Sequence, residues 1–115
     1  MGKTYSIAHL AAMSYVRDKG MGGEPAYKYV CDEGAADIVA KDGDVTVLMA
    51  VTAKRQRGEA RAPEFSAKRL QHIAMCFLVE HPEVDSLRFD VLEALIGTGA
   101  TVTVNVAEGA YSWER

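Results

Sequence analysis

The sequence lacks any apolar run as long as the roughly 18 residues that a membrane-spanning helix needs, and it opens without the charged-then-apolar pattern of a secretory signal. We therefore expect a soluble, cytoplasmic protein with no membrane partner. With 115 residues, about half of them apolar, the chain is large enough for one packed core and too small for two. We expect a single domain over residues 1–115.

Cysteine and histidine are scarce, and their positions match no known ligand spacing. Cys31 and Cys76 are far apart in the sequence, and neither belongs to a C-x-x-C motif. The three histidines, His9, His72 and His81, are scattered as well. These absences exclude a zinc or redox motif, and we expect the two cysteines to be small buried thiols.

The chain also lacks an excess of positive charge, since its formal net charge is -3, and so it has no general attraction for nucleic acid. The charge is unevenly distributed. Between Ala53 and Gln71 only Glu59 and Glu64 are acidic, whereas six residues are basic: Lys54, Arg55, Arg57, Arg61, Lys68 and Arg69. Such a segment can contact phosphates with a salt-sensitive affinity, although a charged loop without interleaved aromatic residues is more often only solvated.

Hydrophobic spacing predicts two amphipathic helices, one from Tyr5 to Lys19 and one from about Glu64 to Glu80, where His81-Pro82 ends it. The inner face of the first helix is predicted to contain Ile7, Leu10, Ala11 and Tyr15. That of the second is predicted to contain Phe65, Leu70, Ile73, Ala74, Phe77 and Leu78. Met49 and Met75 are expected to fill the core.

Alternating apolar residues and turn signals predict the strands. Asp42-Gly43 lies between two β-rich runs and predicts a hairpin, because a type I′ turn needs positive φ at both central residues. A charged loop, 53–63, follows it. The predicted strands are Ala26 to Cys31, Ala36 to Ala40, Val45 to Val51, Ser86 to Ile96 and Thr101 to Val106. The order is α-β-β-β-α-β-β, which predicts an α/β fold with a central mixed sheet flanked by helices.

This order and several local strings resemble the YraN-like family of small bacterial proteins, which has the restriction-endonuclease-like, or PD-(D/E)XK, fold. The family carries A-x-x-Y-L-x-x-x-G, G-E-I-D-L-I-A, a D-G turn, F-V-E-V-K-x-R, a helix opening near a lysine, and R-F-D-V. The matching segments here are Ala12 to Gly20, Gly34 to Ala40, Asp42-Gly43, Leu48 to Lys54, Lys68 and Arg88 to Val91. The resemblance covers nearly the whole chain and implies a nuclease-like protein that hydrolyses phosphodiesters.

The differences from the family pattern concern the residues that the resemblance implies are catalytic. Asp37 keeps the aspartate of G-E-I-D, but Ala35 replaces its glutamate. Ala50 and Thr52 replace the glutamate and the lysine of E-V-K, and His9 stands where an early helix glutamate is expected. Four of these five polar positions are therefore changed, which predicts a degenerate active site.

Hydrolysis on this fold needs two or more carboxylates from neighbouring strands to hold Mg²⁺. The E-x-K pair places an acid and a lysine on one face of a strand, where Ala50 and Thr52 offer only a methyl group and a hydroxyl group. Asp37 alone predicts weak metal binding, and an aspartate at a strand end more often hydrogen-bonds a neighbouring turn. Asp44 and Glu59 are candidates for relocated acids, but solvation explains both more simply.

Three hypotheses remain open. The first is a nuclease-fold protein that has lost metal-dependent activity, needs no cofactor, and keeps a surface for DNA or RNA formed by the six basic residues. The second is an active Mg²⁺-dependent endonuclease with relocated carboxylates, with Asp37 and Glu59 as the first candidates. The third is an interaction or assembly module, a homodimer or a complex with a protein partner, in which the apolar face around Met49, Ala50 and Val51 is the interface. We favour the first.

Overall fold

The computed structural model describes residues 3–22, 28–59 and 61–115. Within these ranges the chain forms two α-helices, six β-strands and a short 3-10 helix at Thr98–Ala100. The helices are α1 (Lys3–Asp18) and α2 (Ala67–Glu80); the strands are β1 (Tyr29–Cys31), β2 (Gly34–Ala36), β3 (Ile38–Asp42), β4 (Val45–Arg55), β5 (Ser86–Ile96) and β6 (Val102–Glu114).

Four strands form a mixed sheet in the order β3-β4-β5-β6. The β3–β4 and β5–β6 pairs are antiparallel, whereas β4 and β5 are parallel and are joined through α2, as a parallel pair requires a crossover. β1 and β2 form a separate two-stranded sheet. The predicted α/β fold with a mixed sheet and flanking helices is confirmed.

The predicted hairpin is present, but its turn lies one residue later than predicted. Asp42 is the last residue of β3 and pairs with Val45, so the two turn residues are Gly43, at a φ of 60°, and Asp44. The strand before it differs from the prediction. Its residues divide into β2 and β3 at Asp37, whose side chain accepts a hydrogen bond from the Val51 N–H. Ala26 and Tyr27 of the first predicted strand lie outside the described residues.

The two sides of the sheet carry separate apolar clusters. One cluster packs against α1 and includes Val47, Met49 and Val51 from alternate positions of β4. The other packs against α2 and includes Leu48, with Ala50 packed at its edge. Alternation along β4 therefore assigns its odd positions to the α1 side and its even positions to the α2 side.

The predicted inner face of α1 is wrong for its two large aliphatic residues, Ile7 and Leu10, whereas Tyr15 packs against the α1-side cluster. Leu10 is 67% exposed and Ile7 is 37% exposed, whereas the stripe that faces the sheet consists of Ala8, Ala12 and Val16. These residues are spaced at i, i+4 and i+8, so they also lie on one helix face. Small side chains on this face let α1 lie close against the sheet. The prediction gave more weight to large apolar residues and therefore chose the neighbouring face of the helix.

The second helix begins at Ala67, three residues later than predicted, because Ser66 is its N-cap and accepts a hydrogen bond from the Arg69 backbone N–H. Phe65 therefore precedes the helix and is 44% exposed, so its predicted core position is wrong. Leu70, Ile73, Ala74 and Phe77 are buried as predicted. Met75 is 48% exposed and is not core filler, whereas Met49 is.

The charged loop covers residues 56–66, between β4 and α2, so it lies three residues later than the predicted loop 53–63. It is also less exposed than predicted, because Pro63 is buried. The last strand continues to Glu114 instead of ending at Val106. A register shift between Phe89 and Val91 interrupts the β5–β6 pairing, and this bulge hides the continuation of the strand from a simple alternation rule.

Within the described residues, no helix is long and apolar enough to cross a bilayer.

Gly34 occupies a backbone conformation that other residues rarely adopt, with a φ of 147°, and a Cβ there would lie 2.9 Å from the Ile73 Cδ1. We expect Gly34→Ala to lower the free energy of unfolding by roughly 2–3 kcal/mol, through backbone strain and local repacking. Gly43→Ala, which meets no atom within 4 Å, should cost only about 1 kcal/mol. Urea denaturation of both variants measures the difference, and equal losses would contradict the role assigned to the Ile73 contact.

Candidate functional site

The positions that match the family's catalytic motif lie where β2, β3 and β4 meet. Ala35 is in β2, Asp37 is at the bend between β2 and β3, and Ala50 and Thr52 are on the α2 side of β4. The Asp37 backbone N–H donates to the Met49 carbonyl at 2.8 Å, which places Asp37 beside this part of β4. The backbones of Asp37 and of this part of β4 are therefore adjacent, although the Asp37 carboxylate bonds Tyr5 of α1 and Ala50 lies on the α2 side.

The Asp37 carboxylate, 15% exposed, binds groups from two elements. Its Oδ2 accepts a hydrogen bond from the Val51 N–H at 2.8 Å, and its Oδ1 accepts one from the Tyr5 hydroxyl at 2.7 Å. The last residue pair between β3 and β4 is Ile38 with Met49, so β3 offers no backbone partner to Val51. The Asp37 carboxylate takes the place of that partner. The bond to Asp37 raises the pKa of Tyr5 to about 12.

This arrangement does not fit Mg²⁺. Both Asp37 oxygens already accept hydrogen bonds, and the Lys28 ammonium lies 3.9 Å from Oδ1. Neither Ala50 nor Thr52 offers a carboxylate, and among the described residues no three His, Cys, Asp or Glu side chains converge on one point. Mg²⁺ needs several oxygen ligands in near-octahedral geometry, which this donor set does not supply.

The acids suggested as replacements lie apart from one another. Asp44 is exposed at the hairpin and precedes β4, whereas Glu59 is exposed in the loop that follows β4. The strand between them has 11 residues and spans roughly 33 Å. Asp44 and Glu59 therefore cannot both supply ligands to one site with Asp37.

His9, at the position of the expected helix glutamate, lies one turn from Tyr5, with 6.3 Å between the ring centroids. Its Nδ1 is buried and has no hydrogen-bond partner among the described residues. An imidazole here cannot replace a carboxylate as an Mg²⁺ ligand, because Mg²⁺ selects oxygen donors.

Four of the six basic candidates surround one cleft, which we call the basic cleft. It has a volume of about 700 Å³ and lies at the end of β4. Its charged lining residues are Lys54, Arg55, Arg57, Arg61, Glu59 and Glu64. Glu59 thus lies among cations, a setting that suits ion pairing better than a shared metal site.

The loop that forms the basic cleft is fastened to the ends of two further strands. The Gln56 N–H donates to the Ile96 carbonyl at 2.9 Å, which holds the loop to the end of β5. The Asn105 side-chain amide donates to the Arg61 carbonyl, which holds it to β6. These backbone contacts position the cationic side chains while leaving them exposed.

The other two basic candidates, Lys68 and Arg69, are exposed in the first turn of α2 and do not line the cleft. The Arg69 Nε lies 3.5 Å from the position that a Cβ on Gly34 would occupy. The Arg69 side chain therefore points toward β2.

Glu93 was missed by the sequence analysis. It is 7% exposed, and it pairs in register with Thr52 across β4 and β5. Its Oε2 lies 3.5 Å from the Lys54 Nζ, and its Oε1 is buried without a hydrogen-bond partner among the described residues. A glutamate inside the apolar run V-L-E-A-L-I is the signal that sequence inspection could have used.

The R-F-D-V string has a structural explanation. Arg88 donates through its Nε to both oxygens of Asp90 at 3.2 Å, and its Nη1 lies 2.7 Å from the Asp42 Oδ2. Asp90 is fully buried and also accepts from the Gly109 N–H at 2.8 Å, at the bulge in β6. This Arg88 cluster ties the hairpin turn to β5 and β6, at the opposite end of β4 from the basic cleft.

Asp37→Ala is expected to lower the free energy of unfolding by about 2–3 kcal/mol, because it leaves the Val51 N–H and the Tyr5 hydroxyl without their acceptor. Asp44→Ala removes an exposed carboxylate from the same hairpin and should change stability by no more than about 0.5 kcal/mol. Urea denaturation of both variants makes the comparison. Equal stability of the two variants would contradict the structural role of Asp37.

The sequence is similar to two bacterial proteins. It is 31% identical over 91 residues to a UPF0102 protein of Parafrankia sp. (strain EAN1pec), which covers 75% of this chain and 77% of that protein. It is 30% identical over 116 aligned positions to a UPF0102 protein of Frankia casuarinae, which covers 96% of this chain and 92% of that protein. No protein-family model matches the chain. The two relatives show that the chain belongs to the UPF0102 family, the YraN family that its motifs resemble.

Proposed function

We propose that this protein keeps a restriction-endonuclease-like core, binds nucleic acid through the basic cleft, and does not cleave it. The observation that carries the proposal is the grouping of Lys54, Arg55, Arg57 and Arg61 around one cleft at the end of β4. Family membership and the mixed sheet support a nuclease-like ancestry, but only by association, since a fold does not determine a function.

The basic cleft suits a phosphate backbone better than a small ligand. It is an open groove with four cations and two carboxylates in its lining, and the described lining contains no aromatic side chain for a base to stack on. Contacts between cations and phosphates give affinity without sequence preference and release counterions. We therefore infer weak, salt-sensitive and sequence-independent binding.

Loss of cleavage follows from the composition of the motif site. Ala35, Ala50 and Thr52 supply no charge, and the one retained acid, Asp37, is occupied by Tyr5 and Val51. Hydrolysis of a phosphodiester needs both a metal held by several oxygens and an activated water. The residues around Asp37 offer neither the ligands nor a lysine at the E-x-K position.

The test is an assay that measures binding and cleavage in the same tube, with labelled duplex, single-stranded and junction DNA and with RNA, in Mg²⁺ and in Mn²⁺. We expect retention at low salt and intact oligonucleotides. Cleavage that copurifies with the wild type and disappears in Asp37→Ala or Glu93→Gln would overturn the non-catalytic proposal. Failure to retain any of these nucleic acids at low salt would overturn the binding proposal.

One observation favours the second candidate, an active enzyme with relocated groups. Glu93 and Lys54 place an acid and a lysine 3.5 Å apart on the α2 side of the sheet, next to Thr52. A single buried carboxylate still lacks the further oxygen ligands that Mg²⁺ requires. Glu93→Gln keeps the shape of the side chain and removes its charge. An enzyme with a relocated active site would lose cleavage in this variant, whereas a non-catalytic protein shows no cleavage to lose.

An assembly role for the β4 segment has less support. Met49 is fully buried and Val51 is 4% exposed, both beneath α1, while Ala50 lies half-buried on the other side of the strand. A partner could reach Met49 only if α1 left the sheet. A homodimer or a protein partner would therefore have to use another surface.

A further inference from the structure

A second feature lies away from the basic cleft, where the β1–β2 arm, residues 29–36, runs along α2. At one end of the arm, the Tyr29 ring packs edge-on against Phe77 with 5.1 Å between centroids, and its hydroxyl donates to Glu80. Further along, the Glu33 carboxylate lies 3.8 Å from the His72 Nδ1. The segment from Tyr29 to Glu33 therefore runs antiparallel to α2.

These two contacts bracket a pair of cysteines. Cys31 lies between Tyr29 and Glu33 on the arm, and Cys76 lies between the helix residues that contact them. Both thiols are free and half-buried, so the expected full burial is not observed. Both thiols pack against the apolar cluster on the α2 side of the sheet. The neighbouring Cys31 thiol, followed by burial and by the carboxylates of Glu33 and Glu80, raises the pKa of the Cys76 thiol.

We propose that Cys31 and Cys76 form a reversible intramolecular disulfide when the protein meets a small-molecule disulfide of the glutathione class, and that this bond fastens the β1–β2 arm to α2. The two residues come from distant parts of the sequence, and the flanking contacts hold their backbones side by side. They are partly accessible, so a small disulfide can reach them. Neither cysteine belongs to a C-x-x-C motif, which is why sequence inspection did not pair them.

The exchange needs no metal and no further reactant. One protein thiol loses its proton, and the thiolate attacks a sulfur of the small disulfide, which releases one small thiolate and leaves a mixed disulfide. The second protein thiolate attacks the protein sulfur of that mixed disulfide and releases the other small thiolate. The two protons from the protein thiols end on the two small thiols. The cysteines are thereby oxidised by two electrons, and the small disulfide is reduced.

The full chain is equilibrated with mixtures of oxidised and reduced glutathione, quenched with acid, and measured by intact mass. We expect the loss of two hydrogens without a gain of glutathione. Cys31→Ser and Cys76→Ser, each with one thiol, should instead accept at most one glutathione. A native disulfide and the native fold stabilise each other. Native protein should therefore reach half oxidation at a ratio of oxidised glutathione to the square of reduced glutathione that is at least about tenfold lower than for chain unfolded in urea.

Three outcomes would overturn the proposal. Two glutathione adducts on the native protein would show that the thiols react independently. Unreacted thiols at high oxidised glutathione would show that the pair is inaccessible. The same oxidation midpoint in buffer and in urea would show that the fold does not hold the cysteines together. Oxidised protein that regains two hydrogens in excess reduced glutathione supports the proposal. Oxidised protein that keeps its lower mass under those conditions contradicts reversibility.

Discussion

A variant with glutamine at Arg55, Arg57 and Arg61 is expected to bind duplex DNA roughly tenfold to a hundredfold more weakly than the wild type at low salt. All three side chains line the basic cleft, and each cation that contacts a phosphate releases counterions. The slope of log K against log salt should become shallower by about 0.9 per lost contact, or by about 2.7 for three contacts. Fluorescence anisotropy over a salt series gives both quantities.

The matched control removes the same charge elsewhere. Arg17, Lys19 and Lys41 are exposed and lie at the hairpin end of the sheet, far from the basic cleft, so Arg17→Gln/Lys19→Gln/Lys41→Gln should keep most of the affinity. Equal losses in the two triple variants would mean that the net charge of the protein, and not the cleft, controls binding. An unchanged salt slope in the cleft variant would exclude the cleft as the contact surface.

Arg88→Met is expected to have the largest effect on stability, lowering the free energy of unfolding by about 3–5 kcal/mol. Asp90 has no exposed surface, and the substitution leaves its charge with only the Gly109 N–H as a partner. The double variant Arg88→Met/Asp90→Asn removes the orphaned charge and should recover much of the loss. Urea denaturation at a fixed pH measures both variants.

The dependence of this loss on pH has a definite sign. Burial raises the pKa of Asp90, while the Gly109 N–H and Arg88 lower it. A raised pKa means that the folded state binds the proton more tightly than the unfolded state, so the contribution of Asp90 to stability is larger at low pH and declines as pH rises through the folded pKa. Without Arg88 the decline should be larger. The Arg88→Met loss should therefore be smaller near about pH 5 than near about pH 8, and a loss independent of pH would contradict this account.

Features that depend on local sequence were predicted well. The hairpin was found because a glycine such as Gly43 takes a positive φ at little cost, although the turn is Gly43-Asp44 and not Asp42-Gly43. The end of α2 was found because of Pro82, which keeps the preceding residue out of the helical region. The predicted start of α2 at about Glu64 was three residues early, because Ser66 is the N-cap and the helix begins at Ala67.

Features that depend on tertiary contacts could not be predicted from the pattern. The buried face of α1 uses Ala8 and Ala12, whose importance comes from the close approach of the helix to the sheet. The split between β2 and β3 lies at Asp37, whose side chain replaces a backbone partner for Val51.

The candidate site shows the same division. The motif positions around Asp37 and four cations of the basic segment were named from the sequence, because motif order and charge density can be read along the chain. Glu93 was not named, since only pairing of β5 with β4 brings it beside Thr52 and Lys54. Lys68 and Arg69 were grouped with the other four cations because they are close in sequence; they do not line the basic cleft, and the Arg69 Nε lies near Gly34.

The most direct test of the central claim is a titration of wild-type protein into a labelled duplex with Mg²⁺ present, in which anisotropy reports binding and a denaturing gel of the same samples reports the length of the strands. The account predicts a saturable rise in anisotropy that weakens steeply with salt, together with strands of unchanged length. Shortened strands whose formation requires Glu93 or Asp37, or no binding at low salt, would contradict it.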